Sequence, residues 1–230
     1  MIAHYPRFRD GAGPGLVPKL GGLPWGFPQR LWPVCEGCGG QMSHLAQLPH
    51  DAPTMPVGEG RVLFIFKCES GDGCSFWEHD GGANAVIEVE RAALGDGATT
   101  PPAHDGLPPP VLREIGIVGW DAKDDGAPPE LEAAFYSYGT FDDLPGDIAH
   151  PHDWAGAWRT KSGGVPYWTG NGAQAQPDMP PGRLLLQIDN WLELEGGGTA
   201  AIANFCSDGT AYVFVDRSRA TPVYSMFINR

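Results

Sequence analysis

Short apolar segments separated by turn residues alternate along most of the chain. Seven of them are rich in β-branched or aromatic residues and most are bounded by Gly, Pro or Asp, a pattern typical of β-strands: 61–67, 84–90, 111–118, 183–189, 199–205, 210–216 and 222–228. Helical spacing is clearest over 129–138, where Leu131, Phe135 and Tyr138 share one face. The pattern therefore predicts a β-rich α+β fold with few short helices.

A repeated motif predicts two related halves. The pattern Lys-x-Gly-Gly-x-Pro-aromatic begins at Lys19 and again at Lys161. Gln47 follows the first lysine by 28 residues, Gln187 follows the second by 26, and a predicted aromatic-rich strand comes after each glutamine. Self-similarity in the same order and at similar spacing is typical of an internal duplication.

The duplication leads to a prediction of domain organisation. We expect one domain over residues 1–230, in which β halves at about 15–90 and 155–230 are related by a pseudo-twofold axis. A Pro/Gly-rich stretch, 95–110, predicts a long loop in the segment that joins them.

The composition supports a folded chain with many turns. With 33 Gly and 23 Pro among 230 residues, the chain approaches the composition of low-complexity sequence. Hydrophobic residues nevertheless make up 42% and aromatic residues 10%, which is enough to bury a substantial core.

The charge is concentrated in one internal region. The formal net charge is −13, and residues 69–153 hold 18 acidic and three basic side chains, a local net charge of −15. This balance argues against binding to nucleic acid or to an anionic membrane, because both need Lys and Arg to meet phosphate. We predict a docking face for a basic protein, with these candidate residues: Asp124, Asp125, Asp142 and Asp143. The alternative is a solvated surface that aids solubility.

The N-terminal residues contain no apolar segment typical of a secretory signal, and no stretch of about 18 apolar residues predicts a membrane span. We therefore expect a cytoplasmic protein. Disulfides are disfavoured in that compartment, so closely spaced cysteines indicate metal ligands.

Four of the five cysteines form two close pairs. Cys35 and Cys38 have the Cys-x-x-Cys spacing that presents two thiolates to one ion, and Cys68 and Cys74 flank a Gly-containing loop after a predicted strand. We predict a structural Zn²⁺ held by all four, with no open position for a catalytic water. Two disulfides, a redox pair and reduced cysteines without metal are the alternatives. Cys206 is predicted to pack as a small apolar residue.

These motifs resemble the YwqG-like bacterial family of unknown function. The resemblance rests on six segments: 19–24, 32–48, 60–66, 162–168, 184–189 and 208–215. The first block is also similar to the eukaryotic programmed-cell-death-2 family, through Leu-Gly-Gly-x-Pro-Trp and the Cys-x-x-Cys before a Leu-x-Gln strand. That second resemblance implies a zinc-bearing, protein-binding role, chaperone-like towards a basic ribosomal protein. The first implies a protein that accompanies toxin systems, with an immunity-like role.

Signatures of known catalytic sites are missing from the sequence, including a nucleophile elbow, a phosphate-binding loop and a zincin helix. The sequence therefore favours a non-catalytic, zinc-stabilised protein-binding module. The alternative is an enzyme or small-molecule binder that uses a cleft between the two halves, with these lining residues: Trp25, Trp32, Trp168, His150 and His152. Neither the partner nor the oligomeric state follows from the sequence.

Overall fold

The computed structural model describes residues 1–70, 73–137, 140, 142–169, 180–206 and 208–229. Ten strands of these residues form one antiparallel sheet. They are β1 (Ile2–Asp10), β2 (Lys19–Leu20), β3 (Ser43–Pro49), β4 (Arg61–Lys67), β5 (Asn84–Glu90), β6 (Ile115–Asp124), β7 (Lys161–Gly163), β8 (Arg183–Asp189), β11 (Thr210–Asp216) and β12 (Val223–Asn229). Their order across the sheet is β12-β11-β8-β7-β1-β6-β2-β3-β4-β5. A separate hairpin pairs β9 (Trp191–Glu193) with β10 (Thr199–Ala201).

The prediction of a duplicated α+β fold is wrong. Strands hold 38% of the residues and helices only 11%, and the two described α-helices are short, α1 (Glu132–Phe135) and α2 (Gly146–Trp154). The strands that follow the two repeated motifs belong to one sheet. β1 and β6 lie between them and join all ten strands into one sheet.

The helix predicted over 129–138 is much shorter in the structure. A 3-10 turn at Pro129–Leu131 leads into α1, which ends at Phe135. The carbonyl of Phe135 accepts a hydrogen bond from the indole of Trp168 at 2.8 Å, so a tertiary contact takes the place of the next helical bond. Tyr138 lies outside the described residues.

The predicted strands differ from the structure in several further places. The strand predicted over 111–118 corresponds to β6, which begins at Ile115 and ends at Asp124, and β3 was not predicted. β1 was not predicted, because Pro6 and several charged side chains interrupt its apolar pattern, although Ala3, Tyr5 and Phe8 are buried. The strand predicted over 199–205 stops at Ala201 and pairs with β9.

The sheet curls until its two edge strands, β5 and β12, meet. The side-chain amide of Asn84 donates to the carbonyl of Met226 at 3.2 Å, and the hydroxyl of Tyr224 donates to the Glu88 carboxylate at 2.7 Å. Unpaired strand edges are templates for association with other chains. Their contact here covers both edges within one molecule.

Strand β11 is buried on both faces, which explains its uninterrupted apolar sequence. Val213 packs in the main core with Phe64 and Phe66. Its neighbours Tyr212 and Phe214 point to the other face, because side chains alternate along a strand, and there they form a second cluster with Trp168 and Phe227.

The two repeated motifs make the same local contacts. Lys19 pairs with Gln47 across β2 and β3, and Lys161 pairs with Gln187 across β7 and β8. Each glutamine accepts a hydrogen bond from the backbone N–H of the aromatic residue that ends its motif, at 2.6 Å in the first case and 2.9 Å in the second. These contacts fix two turns within the single sheet.

The first of these turns is held by a buried histidine. His44 is 3% exposed, and its Nδ1 lies 3.2 Å and 3.1 Å from the carbonyl oxygens of Gly21 and Gly22. Carbonyl oxygens only accept, so Nδ1 carries the proton. Burial lowers the pKa of His44 to about 4.

This lowered pKa predicts a loss of stability in acid. Between pH 6.5 and pH 4 the unfolded chain binds a proton at His44 that the folded protein excludes, so the free energy of unfolding falls as the pH falls. One such group contributes a slope of up to about 1.4 kcal/mol per pH unit. We expect His44→Asn, which keeps a donor near Nδ1, to flatten the slope in urea unfolding at several pH values. The exposed His150→Asn is the control, and equal slopes for wild type and His44→Asn would contradict the prediction.

Candidate metal centre

The first cysteine pair lies on a tight loop closed by backbone hydrogen bonds. The amide of Cys35 donates to the carbonyl of Gly40, and the amide of Gly39 donates to the carbonyl of Cys35, both at 2.8 Å. Gly39 has a φ of 72°, a conformation that favours glycine. The loop turns Cys38 back beside Cys35.

The second pair follows β4. The amide of Cys68 donates to the carbonyl of Ala83 at 2.8 Å, which continues the pairing of β4 with the β5 side of the sheet. Cys74 lies two residues before Phe76, which is buried. One pair thus comes from a loop before β3 and the other from the connection between β4 and β5.

The structure brings all four cysteines together. One sulfur atom from each of Cys35, Cys38, Cys68 and Cys74 lies within 4.8 Å of all the others. The Sγ atoms of Cys38 and Cys68 are 3.6 Å apart, as are those of Cys68 and Cys74. All four are free cysteines, so the alternative of two disulfides does not describe the structure. The cluster can hold a metal ion.

A serine hydroxyl and a backbone amide complete the cluster. The Oγ of Ser70 lies 2.8 Å from the Sγ of Cys68 and 3.2 Å from that of Cys38, and the amide of Gly40 donates to Cys38 at 3.4 Å. The Ser70 hydroxyl and the Gly40 amide lower the pKa of Cys38 to about 6. Burial raises the pKa of Cys35 to about 12. Cys38 is the exposed member, while the other three cysteines are buried.

The cysteine cluster is connected to the closure of the sheet. The carbonyl of Phe76, two residues after Cys74, accepts hydrogen bonds from the amide of Ile228 in β12 at 3.0 Å and from the side chain of Asn84 at 2.9 Å. The carboxylate of Glu69, next to Cys68, accepts from the amide of Asn204 at 3.2 Å. The segment that carries the second cysteine pair therefore bridges the two edges.

Buried Lys67 reinforces this bridge. Its ammonium donates to the carbonyl of Cys68 at 2.8 Å and to the carboxylate of Glu69 at 3.0 Å. It also lies 4.6 Å from the ring centroid of Phe76, within the range of a cation–π contact.

The four candidate partner-binding aspartates have different environments. Asp125 is fully buried, and its carboxylate accepts from the amides of Val165 and Ala127 and lies 3.4 Å from the ammonium of Lys161. The Asp125 carboxylate therefore makes contacts within the protein and cannot reach a partner. Asp124, Asp142 and Asp143 are exposed, and their role in partner binding remains a prediction.

The residues predicted to line a cleft are not brought together. Trp32 is packed in the main core with its indole N–H donating to the carbonyl of Met42, and Trp168 belongs to the second cluster. His152 is buried with Nδ1 2.8 Å from the carbonyl of Asp125.

His150 is exposed and stacks on Trp154, whereas Trp25 is half-buried on the first repeated turn. The cavity lined by Tyr5 and Trp191 contains none of the five.

The sequence did not predict a cavity of about 270 Å³ between β1 and β9. Its lining includes Tyr5, Trp158 and Trp191, which lie far apart in the sequence. Trp158 and Trp191 are partly exposed. Two exposed tryptophans were the available signal, but exposure is not visible in the sequence alone.

Comparison with known proteins gives no assignment. No protein-family model matches the chain, and no curated protein matches it. The resemblance to the YwqG-like family therefore remains a prediction. Across the described ranges, none of the helices has both the length and the apolar character needed to cross a membrane.

The bridge between the cysteine segment and β12 predicts a large effect for a single side chain. Asn84→Ala removes the donors to the carbonyls of Phe76 and Met226, so we expect the free energy of unfolding to fall by about 1–3 kcal/mol. Urea unfolding measures the change. The control is Thr199→Ala on the exposed hairpin, and an equal effect of the two substitutions would contradict the bridge.

Proposed function

We propose that the protein is a non-catalytic binding module whose closed sheet is stabilised by one structural Zn²⁺. The ligands are Cys35, Cys38, Cys68 and Cys74. The observation that carries the proposal is the convergence of their four sulfur atoms within 4.8 Å at the point where the sheet closes.

The donor set favours zinc. A Zn–S bond of about 2.3 Å in a tetrahedron places the sulfur atoms about 3.8 Å apart, close to the 3.6 Å separations in the cluster. Four thiolates fill the coordination sphere, so a water molecule has no open position. A structural role therefore fits this donor set better than a catalytic one.

The position of the cluster explains what the ion would stabilise. Cys35 and Cys38 belong to the loop before β3, whereas Cys68 and Cys74 belong to the segment that reaches β12. One ion would fix these two segments against each other. The free energy of metal binding then becomes part of the free energy of folding.

The proposal predicts about one zinc per chain in reduced, purified protein, measured by elemental analysis. Cys74→Ser removes a buried ligand and should lower the zinc content to a small fraction of the wild-type value, with a lower unfolding midpoint. Cys206→Ser is the matched control, since Cys206 lies outside the cluster, and should keep its zinc. A wild type without zinc whose four thiols react freely would refute the metal site, as would full zinc content in Cys74→Ser.

We propose that the partner is a basic protein and that it binds the segment around the two helices. Four acidic side chains there are exposed: Glu130, Asp142, Asp143 and Asp147. The ion pairs found among the described residues include none of them. Trp154, which is 80% exposed at the end of α2 and stacks on His150, adds an aromatic ring to the same segment.

The partner proposal predicts binding that depends on salt and on these charges. Basic proteins captured from a lysate at low salt are identified by mass spectrometry, and the affinity of a purified one is then measured. Asp142→Asn with Asp143→Asn should weaken binding about tenfold, because both charges face the partner. Asp96→Asn with Asp105→Asn is the control, since these exposed aspartates lie outside the segment. Equal affinities for both double variants, or no dependence on salt, would contradict the proposal.

A further inference from the structure

A preformed cavity shares no lining residue with the cysteine cluster. It has a volume of about 270 Å³ and is lined by β1, by the segment after α2 and by β9. A volume at the small end of ligand pockets suits a molecule of one or two rings.

The hairpin of β9 and β10 is fixed over β1. The amide of Glu195 donates to the carbonyl of Phe8 at 2.7 Å, and Phe8 forms an isolated bridge with Leu194. The guanidinium of Arg7 lies 2.9 Å from the carboxylate of Glu195. These contacts hold the wall of the cavity in place without a ligand, which reduces the entropy lost on binding.

Two tryptophans present apolar surface at the cavity. Trp158 is 38% exposed and Trp191 is 52% exposed, whereas Trp32 and Trp168 are buried. The guanidinium of Arg159 lies 5.2 Å from the ring centroid of Trp158. The faces of aromatic rings pack well against flat, carbon-rich groups.

The charged groups of the cavity largely neutralise one another. Arg7 lies 3.8 Å from Asp121 as well as beside Glu195, and Arg159 lies 3.4 Å from Glu193. An ionic ligand would therefore meet both signs of charge and gain little. The same guanidinium and carboxylate groups can donate to and accept from neutral hydroxyl groups.

Three further ionisable side chains, Lys123, Asp189 and Tyr5, lie in the lining without an ion pair among the described residues, and the ammonium of Lys123 lies 5.7 Å from the ring centroid of Tyr5. Asp189 is half-buried, and burial raises the pKa of its carboxyl. The hydroxyl of Tyr5 is buried with no hydrogen-bond partner in the described part of the chain. A carboxylate in such a position is well suited to accept a hydrogen bond from a ligand hydroxyl.

We propose that this cavity binds a neutral saccharide of one or two rings. The C–H face of a sugar ring packs on Trp158 or Trp191, while its hydroxyl groups exchange hydrogen bonds with Asp189 and the paired charges at the rim. This site is independent of the proposed metal site and of the proposed basic partner. A negative result for the saccharide therefore leaves those two proposals unchanged, and the reverse also holds.

The test uses a panel of neutral sugars as probes: glucose, galactose, mannose, N-acetylglucosamine and their 1,4-linked disaccharides, with the methyl glycosides to distinguish a linked sugar residue from a free one. Saturation-transfer NMR and tryptophan fluorescence measure binding. We expect saturable binding of at least one probe with a Kd below about 10 mM. Trp191→Ala and Asp189→Asn should each weaken it about tenfold, and Trp158→Phe should bind better than Trp158→Ala because it keeps a ring face.

Trp154→Ala is the matched control, since Trp154 is exposed but does not line the cavity. It should bind the same probe within about twofold of wild type. Thermal unfolding of each variant shows that a loss of binding does not reflect a loss of folding. The proposal is overturned if no sugar saturates, if Trp154→Ala weakens binding as much as Trp191→Ala, or if tetramethylammonium or inorganic phosphate occupies the cavity in preference to every sugar.

Discussion

The contact between the two edges of the sheet is the constraint on which the rest of this structure depends. Ten strands of one chain form a curled sheet, and its ends meet where the carbonyl of Phe76 accepts the amide of Ile228. Phe76 lies on the connection that carries Cys68 and Cys74, and these two cysteines converge with the pair from the loop before β3. The cysteine cluster and the closure of the sheet are therefore directly connected.

A closed sheet also determines what can lie outside it. Strand β11 has both faces buried, one against the main core and one against the aromatic cluster around Trp168, so its stability comes from packing on two sides. The β9–β10 hairpin pairs apart from the ten-stranded sheet, yet Leu192 and Ala200 pack it into the main core. The proposed binding surfaces are therefore already formed before a ligand or partner binds.

The sequence was most informative where chemistry and local pattern coincide. The Cys-x-x-Cys pair and the second cysteine pair predicted a four-cysteine cluster, and the four sulfur atoms do converge. Strands such as β4 and β11 were predicted from continuous apolar runs. The order of the strands across the sheet was harder to predict from the sequence. β1 and β6 pair through residues more than 100 positions apart, and Pro6 interrupts the alternating apolar pattern of β1. The repeated motifs marked two equivalent turns and were misread as two halves of a duplicated α+β fold.

Burial was the other quantity that the sequence could not supply. Asp125 looks like its exposed neighbour Asp124 in a sequence, yet it is fully buried beside Lys161.

The most direct test of the central claim is amide hydrogen exchange at Ile228, compared between zinc-loaded and chelator-treated protein. The account predicts that the Ile228 amide is protected with zinc and exchanges rapidly after chelation, because the segment that carries Phe76 is released. Unchanged protection at Ile228 after complete removal of the metal would contradict it.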